Sequence, residues 1–89
     1  MISRATPDFW KRYRALIPEA RVAARNAYRK FIQNPAHPSL RLERLRSDSR
    51  FWSVRLSQDY RAVAMRFEND QWVWFWIGNH KNFDREFLG

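Results

Sequence analysis

The sequence predicts an α+β domain in which an amino-terminal helical hairpin packs on one face of a small antiparallel β-sheet. Two patterns support this fold class. Residues 51–57, 60–67 and 71–78 are rich in β-branched and aromatic side chains and are separated by short polar breaks, which is typical of a β-meander. Residues 6–33 instead repeat apolar side chains at helical spacing. With 89 residues, the chain is expected to form a single domain over positions 1–89.

The first third of the chain predicts two helices joined by a short link. Thr6 is the expected N-cap of the first helix, with Pro7 at the first helical position and Asp8 near the positive end of the helix dipole. Pro18 either ends this helix or opens the next one, which then runs to about Gln33. The face of the second helix that packs on the sheet is expected to contain Ala20, Ala24, Ala27, Tyr28 and Phe31, with Ile32 beside them.

Two further segments complete the predicted sheet. Residues 1–5 are predicted to form a short edge strand. Leu40, Leu42 and Leu45 are separated by charged residues, and this pattern predicts the strand that precedes the meander. The last strand, 71–78, is apolar on both of its faces, which indicates a central strand that is covered twice.

Strict alternation along a strand predicts which side chains share a face. Trp72, Trp74 and Trp76 are therefore expected to form one row, most simply as part of the core or of a protein interface. Arg61 has the same parity as the apolar Val63 two residues later, so a regular strand would direct it toward the core. A charged residue at that position implies either a bulge that re-aims it or a place at the end of the sheet.

The charge balance favours a polyanionic partner, either nucleic acid or an acidic protein segment. The chain has 17 Lys and Arg against 9 Asp and Glu, and arginine presents a planar fork that matches phosphate and carboxylate. The chain has no cysteine, so disulfides and thiolate metal sites are excluded. No apolar run is long enough to span a membrane and the amino terminus lacks the apolar centre of a signal peptide, so a cytoplasmic protein without membrane contact is expected.

The predicted sheet also carries the residue types needed to cut RNA without a metal ion. The RNA 2′-hydroxyl attacks the adjacent phosphate, and a protein assists by moving protons and by neutralising the developing charge. Glu43 and His80 are candidates for proton transfer because one is a carboxylate and the other titrates near neutrality. The residues expected to stabilise charge or to bind RNA are Arg61, Arg55, Arg66, Lys81 and Phe83.

Simpler readings of the same residues remain open. A single histidine after a strand is often only a turn residue, and Glu43 can pair with a neighbouring Arg41 or Arg44. His37 is expected to shape the loop before the sheet. Neither a metal ion nor another cofactor is predicted, because two histidines lack a carboxylate cluster and no glycine-rich phosphate loop is present.

The segments NPAHPSLRLERL, FWSVRLSQDYRAVA and WFWIGNH, in this order, resemble the RelE/ParE superfamily of bacterial type II toxins. TPDFWKRYRALI is similar to the usual first helix, so the resemblance covers nearly the whole chain. Within the superfamily the chain looks most similar to messenger RNA interferases. In YoeB-like members a glutamate, an arginine and a histidine carry catalysis, and those positions match Glu43, Arg61 and His80, while Arg55 matches a further cation.

The resemblance implies a toxin that cleaves mRNA at the ribosome and a cognate antitoxin whose flexible segment wraps the sheet. Operator DNA would be bound only through the antitoxin. Two alternatives stay open: a ParE-like inhibitor of DNA gyrase that performs no hydrolysis, and a catalytically decayed module that retains only its antitoxin contact. The chain departs from the YoeB-like pattern after His80, because Lys81 and Asn82 precede the next aromatic residue and a predicted helical turn follows at 84–88.

Overall fold

Two helices pack on one face of a five-stranded sheet in the computed structural model, which describes residues 1–88. The predicted α+β fold is confirmed. In chain order the elements are β1 (Ile2–Ala5), α1 (Pro7–Arg14), α2 (Pro18–Gln33), a 3₁₀ turn (Pro38–Leu40), β2 (Glu43–Arg44), β3 (Phe51–Ser57), β4 (Tyr60–Phe67), β5 (Gln71–Asn79), α3 (His80–Phe83) and a π-helical turn (Asp84–Leu88).

The strand order across the sheet is β1-β5-β4-β3-β2. The meander from β2 to β5 is antiparallel, as predicted. The edge strand β1 is the exception, because it runs parallel to β5, with Ile2 opposite Gln71 and Ala5 opposite Trp74. Two parallel neighbours need a long crossover connection. Here the connection from β1 to β5 comprises the helical hairpin and strands β2 to β4.

The first helix begins as predicted and ends earlier than predicted. The Thr6 hydroxyl accepts a hydrogen bond from the Phe9 N–H at 3.1 Å, which satisfies one of the free donors at the helix start. The helix ends at Arg14. Ile17 is extended (φ −64°, ψ 154°) because the following proline disfavours helical geometry, and Pro18 opens α2.

The main core lies between α2 and the sheet. Phe31 is 1% exposed, and its ring lies 5.1 Å from both Trp72 and Trp74 in edge-on contacts. The alanines predicted for this face of α2 are buried as well: Ala20, Ala24 and Ala27. Tyr28 and Ile32 were predicted on or beside this face, but both are exposed because they lie at its margins.

The strand predicted from Leu40, Leu42 and Leu45 is shorter than expected. Leu40 is buried at the end of the 3₁₀ turn, and the next residue, Arg41, has a left-handed backbone (φ 45°, ψ 49°) that an extended strand cannot contain. Only Glu43 and Arg44 pair with β3. The leucines are therefore anchors of a turn and a short strand, and not one continuous strand face.

The prediction that three tryptophans share one face is wrong because β5 contains a bulge. Val63 pairs with Trp76, whereas the next residue of β4, Ala64, pairs with Trp74, so one residue of β5 is left without a partner. The bulge reverses the parity of β5. Trp72 and Trp74 face the helices, and Trp76 lies on the opposite face in a second small core with Leu45, Val63 and Phe83. As predicted, β5 is an interior strand covered on both faces.

Candidate functional site

The sheet face away from the helices brings three of the predicted catalytic and binding residues together. Glu43 of β2 pairs with Ser53 of β3, and Arg55 lies two residues after Ser53 on β3. Arg55 is directly opposite Arg61 on β4, which in turn is opposite Gly78 on β5. Because directly paired residues share a face, the Glu43, Arg55 and Arg61 side chains emerge on one side of the sheet. Arg61 is the second residue of β4. It therefore shares a face with the buried Val63 but lies at the end of the sheet, which is one of the two predicted explanations for a charged residue at this position.

Gly78 makes room on this face. A β-carbon at this position would lie 2.8 Å from Cη2 of the Trp76 ring, closer than a real β-carbon can approach. The indole therefore packs directly over the backbone of β5, next to the strand position of Arg61. This packing places a rigid aromatic ring on the sheet face that carries Arg61.

The imidazole of His80 is placed by the start of α3. The Asn79 side chain caps this helix by accepting from the Asn82 N–H at 2.8 Å. The His80 N–H donates to the Asp59 carbonyl oxygen at 2.7 Å, which ties α3 to the turn between β3 and β4. His80 is thus held beside the end of the sheet that carries Arg61.

Arg61 is fixed by the same turn. Its Nη1 donates to the carbonyl oxygens of Ser57 and Tyr60 at 2.7 and 2.9 Å. One nitrogen makes these bonds, so the remaining donors of the guanidinium are left for an anion. Burial, and then the charge of the facing Arg55, lower the pKa of Arg61. The guanidinium remains charged, and an anion between the two arginines would relieve their repulsion.

Asp84 is a site residue that the sequence reading missed. Its Oδ2 lies 3.0 Å from Nε2 of His80, and both side chains are about half exposed. The other atoms of the pair, His80 Nδ1 and Asp84 Oδ1, are buried without a hydrogen-bond partner among the described residues. The spacing of four residues within a helical segment was the available signal, because such pairs meet on one helix face.

We expect Asp84→Ala to release the His80 ring while leaving the fold intact. A partly exposed ion pair contributes only about 0.2–1 kcal/mol to stability. The bond to one ring nitrogen sets which nitrogen carries the proton, so the neutral imidazole of the unaltered chain should show a single tautomer, protonated at Nε2. In Asp84→Ala the ¹⁵N shifts of the two ring nitrogens should move toward each other. Glu86→Ala, two residues further on, is the control, and unchanged shifts in Asp84→Ala would contradict this assignment.

The structure gathers most of the predicted site in one hollow between the sheet and the carboxy-terminal turns. Glu43, Arg55, Arg61 and His80 line it. Lys81 lies on the adjoining rim, next to Arg55 and Arg61. The residues of this hollow that were not predicted are Arg41, Leu45, Ser53, Asp84 and Leu88.

Two residues predicted to bind RNA are placed differently. Arg66 lies on the helix-covered face at the far end of β4, about 16 Å along the strand from Arg61. Its guanidinium lies 4.7 Å from the ring centre of Trp72 and 3.5 Å from the Asp70 carboxylate. Phe83 is only 5% exposed and packs in the second core, so it supports a wall of the hollow and has no free ring face for a base.

The hollow is suited to an anion. Among residues 1–88, no carboxylate forms an ion pair with Arg41, Arg55, Arg61 or Lys81, although four ion pairs occur elsewhere and His80 pairs with Asp84 within the hollow. The Glu43 carboxylate and the His80 imidazole line the same space and supply groups that exchange protons. The arrangement therefore combines unpaired cations with a proton acceptor and a proton donor.

Two other kinds of feature are not found in the described part of the chain. None of its helices has the length and apolar character needed to cross a membrane. No group of three or more His, Asp and Glu side chains within residues 1–88 is arranged to hold a metal ion.

A helical hairpin on a mostly antiparallel sheet, with a cationic hollow on the opposite face, defines the class as RelE/ParE superfamily toxins. Residues 18–85 match the family model of the ParE-like toxin domain, and the chain belongs to this family. A comparison with curated protein sequences gives no significant match.

Solved structures show the same fold. The YoeB/ParE toxin from Agrobacterium tumefaciens is 18% identical, with a TM-score of 0.69 over 90% of this chain and 99% of that one. YafQ from E. coli strain BL21(DE3) is 11% identical, with a TM-score of 0.71 over 91% of this chain and 94% of that one. The RelB–RelE antitoxin–toxin complex from Methanococcus jannaschii matches at 13% identity and a TM-score of 0.67, over 91% and 94%. At these identities the likeness shows the fold alone.

Proposed function

We propose that this protein is the toxin of a type II toxin–antitoxin system and acts as a metal-independent endoribonuclease that cleaves mRNA at the ribosome. The observation that supports this proposal most is the convergence of Arg55, Arg61, Glu43 and His80 on one hollow. These are the cations, the carboxylate and the imidazole that cleavage by the RNA's own hydroxyl requires.

In the proposed reaction the 2′-oxygen forms a bond to the adjacent phosphorus and the bond from phosphorus to the 5′-oxygen breaks. Glu43 accepts the proton of the 2′-hydroxyl, and Arg55 and Arg61 stabilise the charge on the phosphorane oxygens. His80 acts in its imidazolium form: it donates the Nε2 proton to the leaving 5′-oxygen and becomes a neutral imidazole that keeps its proton on Nδ1. It must exchange its bond to Asp84 for one to the substrate in this step. The products are a 2′,3′-cyclic phosphate and a free 5′-hydroxyl.

The proposed protein partner is a cognate antitoxin with an acidic or amphipathic segment. The net charge of +8 and the unpaired cations around the hollow favour such a segment, and contact there would block the site. The RelE of Methanococcus jannaschii, which shares the fold, occurs in a complex with an antitoxin. We place the protein in the cytoplasm, where mRNA and ribosomes are found, and assign operator binding to the antitoxin.

Primer extension on a defined mRNA, incubated with purified protein with and without ribosomes, tests the proposal. Cuts within the translated region that appear only with ribosomes, and fragments that carry a 5′-hydroxyl, are the expected result. Growth arrest on induction without any mRNA cleavage would overturn the nuclease assignment.

Inhibition of DNA gyrase is a second candidate function, and one observation favours it. Neither ring nitrogen of His80 is free in this structure, because Nε2 is bonded to Asp84 and Nδ1 is buried. A toxin that performs no hydrolysis needs no free imidazole. Induction of a gyrase inhibitor should cause DNA breaks and an SOS response before transcripts are lost. Unimpaired growth on induction would instead indicate a decayed module that retains only antitoxin binding.

We expect Arg61→Ala to lower the rate of RNA cleavage by about 10²–10³-fold, as the loss of one charge-stabilising donor typically does. Arg66→Ala is the matched control, because it removes the same charge from the same strand on the opposite face. The measurement is single-turnover cleavage of labelled mRNA by each purified variant. Equal losses in both variants would show that net charge, and not the position of Arg61, controls the reaction.

A further inference from the structure

A cationic groove extends beyond the hollow that holds His80. Three adjoining depressions share Arg55 and Arg41 as common walls. One contains His80 and Arg61, and another passes between α2 and β3 to Lys30 and Ser39. The groove therefore runs from Lys30 past Arg41 and Arg55 into the candidate site.

Arg41, at the junction of the three depressions, has an unusual backbone. Its φ of 45° is left-handed, a conformation that non-glycine residues with long side chains rarely adopt. The 3₁₀ turn holds it there, because the Arg41 N–H donates to the Pro38 carbonyl oxygen at 3.3 Å. Strained backbone that the surrounding fold maintains is concentrated at functional sites.

The Lys30 end of the groove is also ordered by specific contacts. Lys30 Nζ lies 3.4 Å from the Ser39 hydroxyl, which lies 2.8 Å from Nδ1 of His37. His37 also caps the 3₁₀ turn by accepting from the Ser39 N–H at 3.2 Å. The loop that was predicted only to shape a turn therefore fixes one wall of the groove.

The cations of the groove have no carboxylate partners among the described residues. Lys30, Arg41 and Arg55 form no ion pair with a carboxylate of residues 1–88. Arg41 and Arg55 act on Arg61 as like charges, and Asp84 and Asp59 offset part of this repulsion. Cations that line one groove without carboxylate partners are stabilised by a polyanion laid along it.

We propose that this groove binds the phosphodiester backbone of single-stranded RNA that flanks the cleaved nucleotides, with Arg41 as the main contact and Lys30 as the outer one. This inference rests on the proposed nuclease function and extends it. RNA is favoured over an acidic peptide because the groove opens directly into the hollow with Glu43 and His80. A nucleic acid whose scissile phosphate lies in that hollow has a continuous path through the space that Arg41 borders.

Fluorescence anisotropy with uncleavable 2′-O-methyl RNA tests the groove. Arg41→Ala should weaken binding of a labelled octanucleotide about tenfold, as expected for loss of one charged hydrogen bond, and should reduce the dependence of affinity on salt. Lys30→Ala should have a smaller effect in the same direction. Binding of a dinucleotide, which fits within the hollow, should change little in Lys30→Ala, because Lys30 lines the groove but not the hollow. Arg14→Ala is the control, since it removes one exposed cation from α1, outside the groove.

Equal losses of dinucleotide and octanucleotide binding in Lys30→Ala, or an Arg14→Ala effect as large as that of Arg41→Ala, would overturn the proposal. It would also fall if Arg41→Ala weakened binding of poly-glutamate and left RNA binding unchanged, because the groove would then serve an acidic protein. These binding results do not depend on cleavage. If the protein binds RNA through Arg41 but cuts no mRNA, the groove proposal stands and the proposed nuclease function is disproved.

Discussion

His80→Ala is expected to abolish most mRNA cleavage, with a loss of about 10²–10⁴-fold in rate, which is the usual contribution of a positioned acid or base. The reason is geometric as well as chemical. The backbone of His80 is anchored to the turn between β3 and β4, and the imidazole lines the same hollow as Arg61. No other histidine lines this hollow, so no second imidazole is available there to protonate the leaving oxygen.

The chain contains its own control for this experiment. His37 is the only other histidine, and it lies in the loop before the sheet, where it bonds to Ser39. His37→Ala should retain cleavage within a few-fold, although it removes the same side chain. Single-turnover cleavage by both variants, and growth after their induction, are the measurements. Full growth arrest by a folded His80→Ala protein would remove this residue from the mechanism.

The helices and the meander could be predicted from sequence because their signals are local. Thr6 and Pro7 mark a helix start through their own chemistry, and the polar breaks between strands contain turn residues. The bulge in β5 has no such signal. It depends on how Val63 and Trp76 pack against the second core, and only the folded sheet fixes that register. The tryptophan row was therefore assigned to a single face.

The same distinction applies to the site. Glu43, Arg61 and His80 were predicted from residue type and order, and the structure brings them to one hollow. Arg66 was included because it is a cation on the same sheet. Its interaction with Trp72 on the other face depends on strand register, and register cannot be predicted from the positions of the charged residues alone.

Arg41 and Asp84 were missed for a related reason. The left-handed backbone of Arg41 follows from a 3₁₀ turn that interrupts the predicted strand. Asp84 contacts His80 only because α3 continues into a π-helical turn. In both cases a side chain enters the site through a local departure from regular structure, and sequence periodicity describes regular structure only.

The second large effect is expected in the core. Phe31→Ala should lower the free energy of unfolding by about 3–5 kcal/mol, because removing a fully buried aromatic ring loses its burial and leaves a cavity. The ring is 1% exposed and lies edge-on against both Trp72 and Trp74. The two indoles also lie against each other, with ring centres 6.4 Å apart. Urea denaturation followed by tryptophan fluorescence gives the measurement.

Ile32→Ala is the matched control, because Ile32 is the next residue of the same helix and is 51% exposed. The change should cost less than about 1 kcal/mol, since most of this side chain stays in water in the folded protein. The comparison separates packing from helix propensity, because both variants place alanine in α2. Similar losses for the two variants would show that Phe31 does not anchor α2 to the sheet. A large loss for Phe31→Ala alone would show that packing against the two tryptophans holds α2 on the sheet. The position of α2 matters for the groove as well, because α2 contributes Lys30 to its wall.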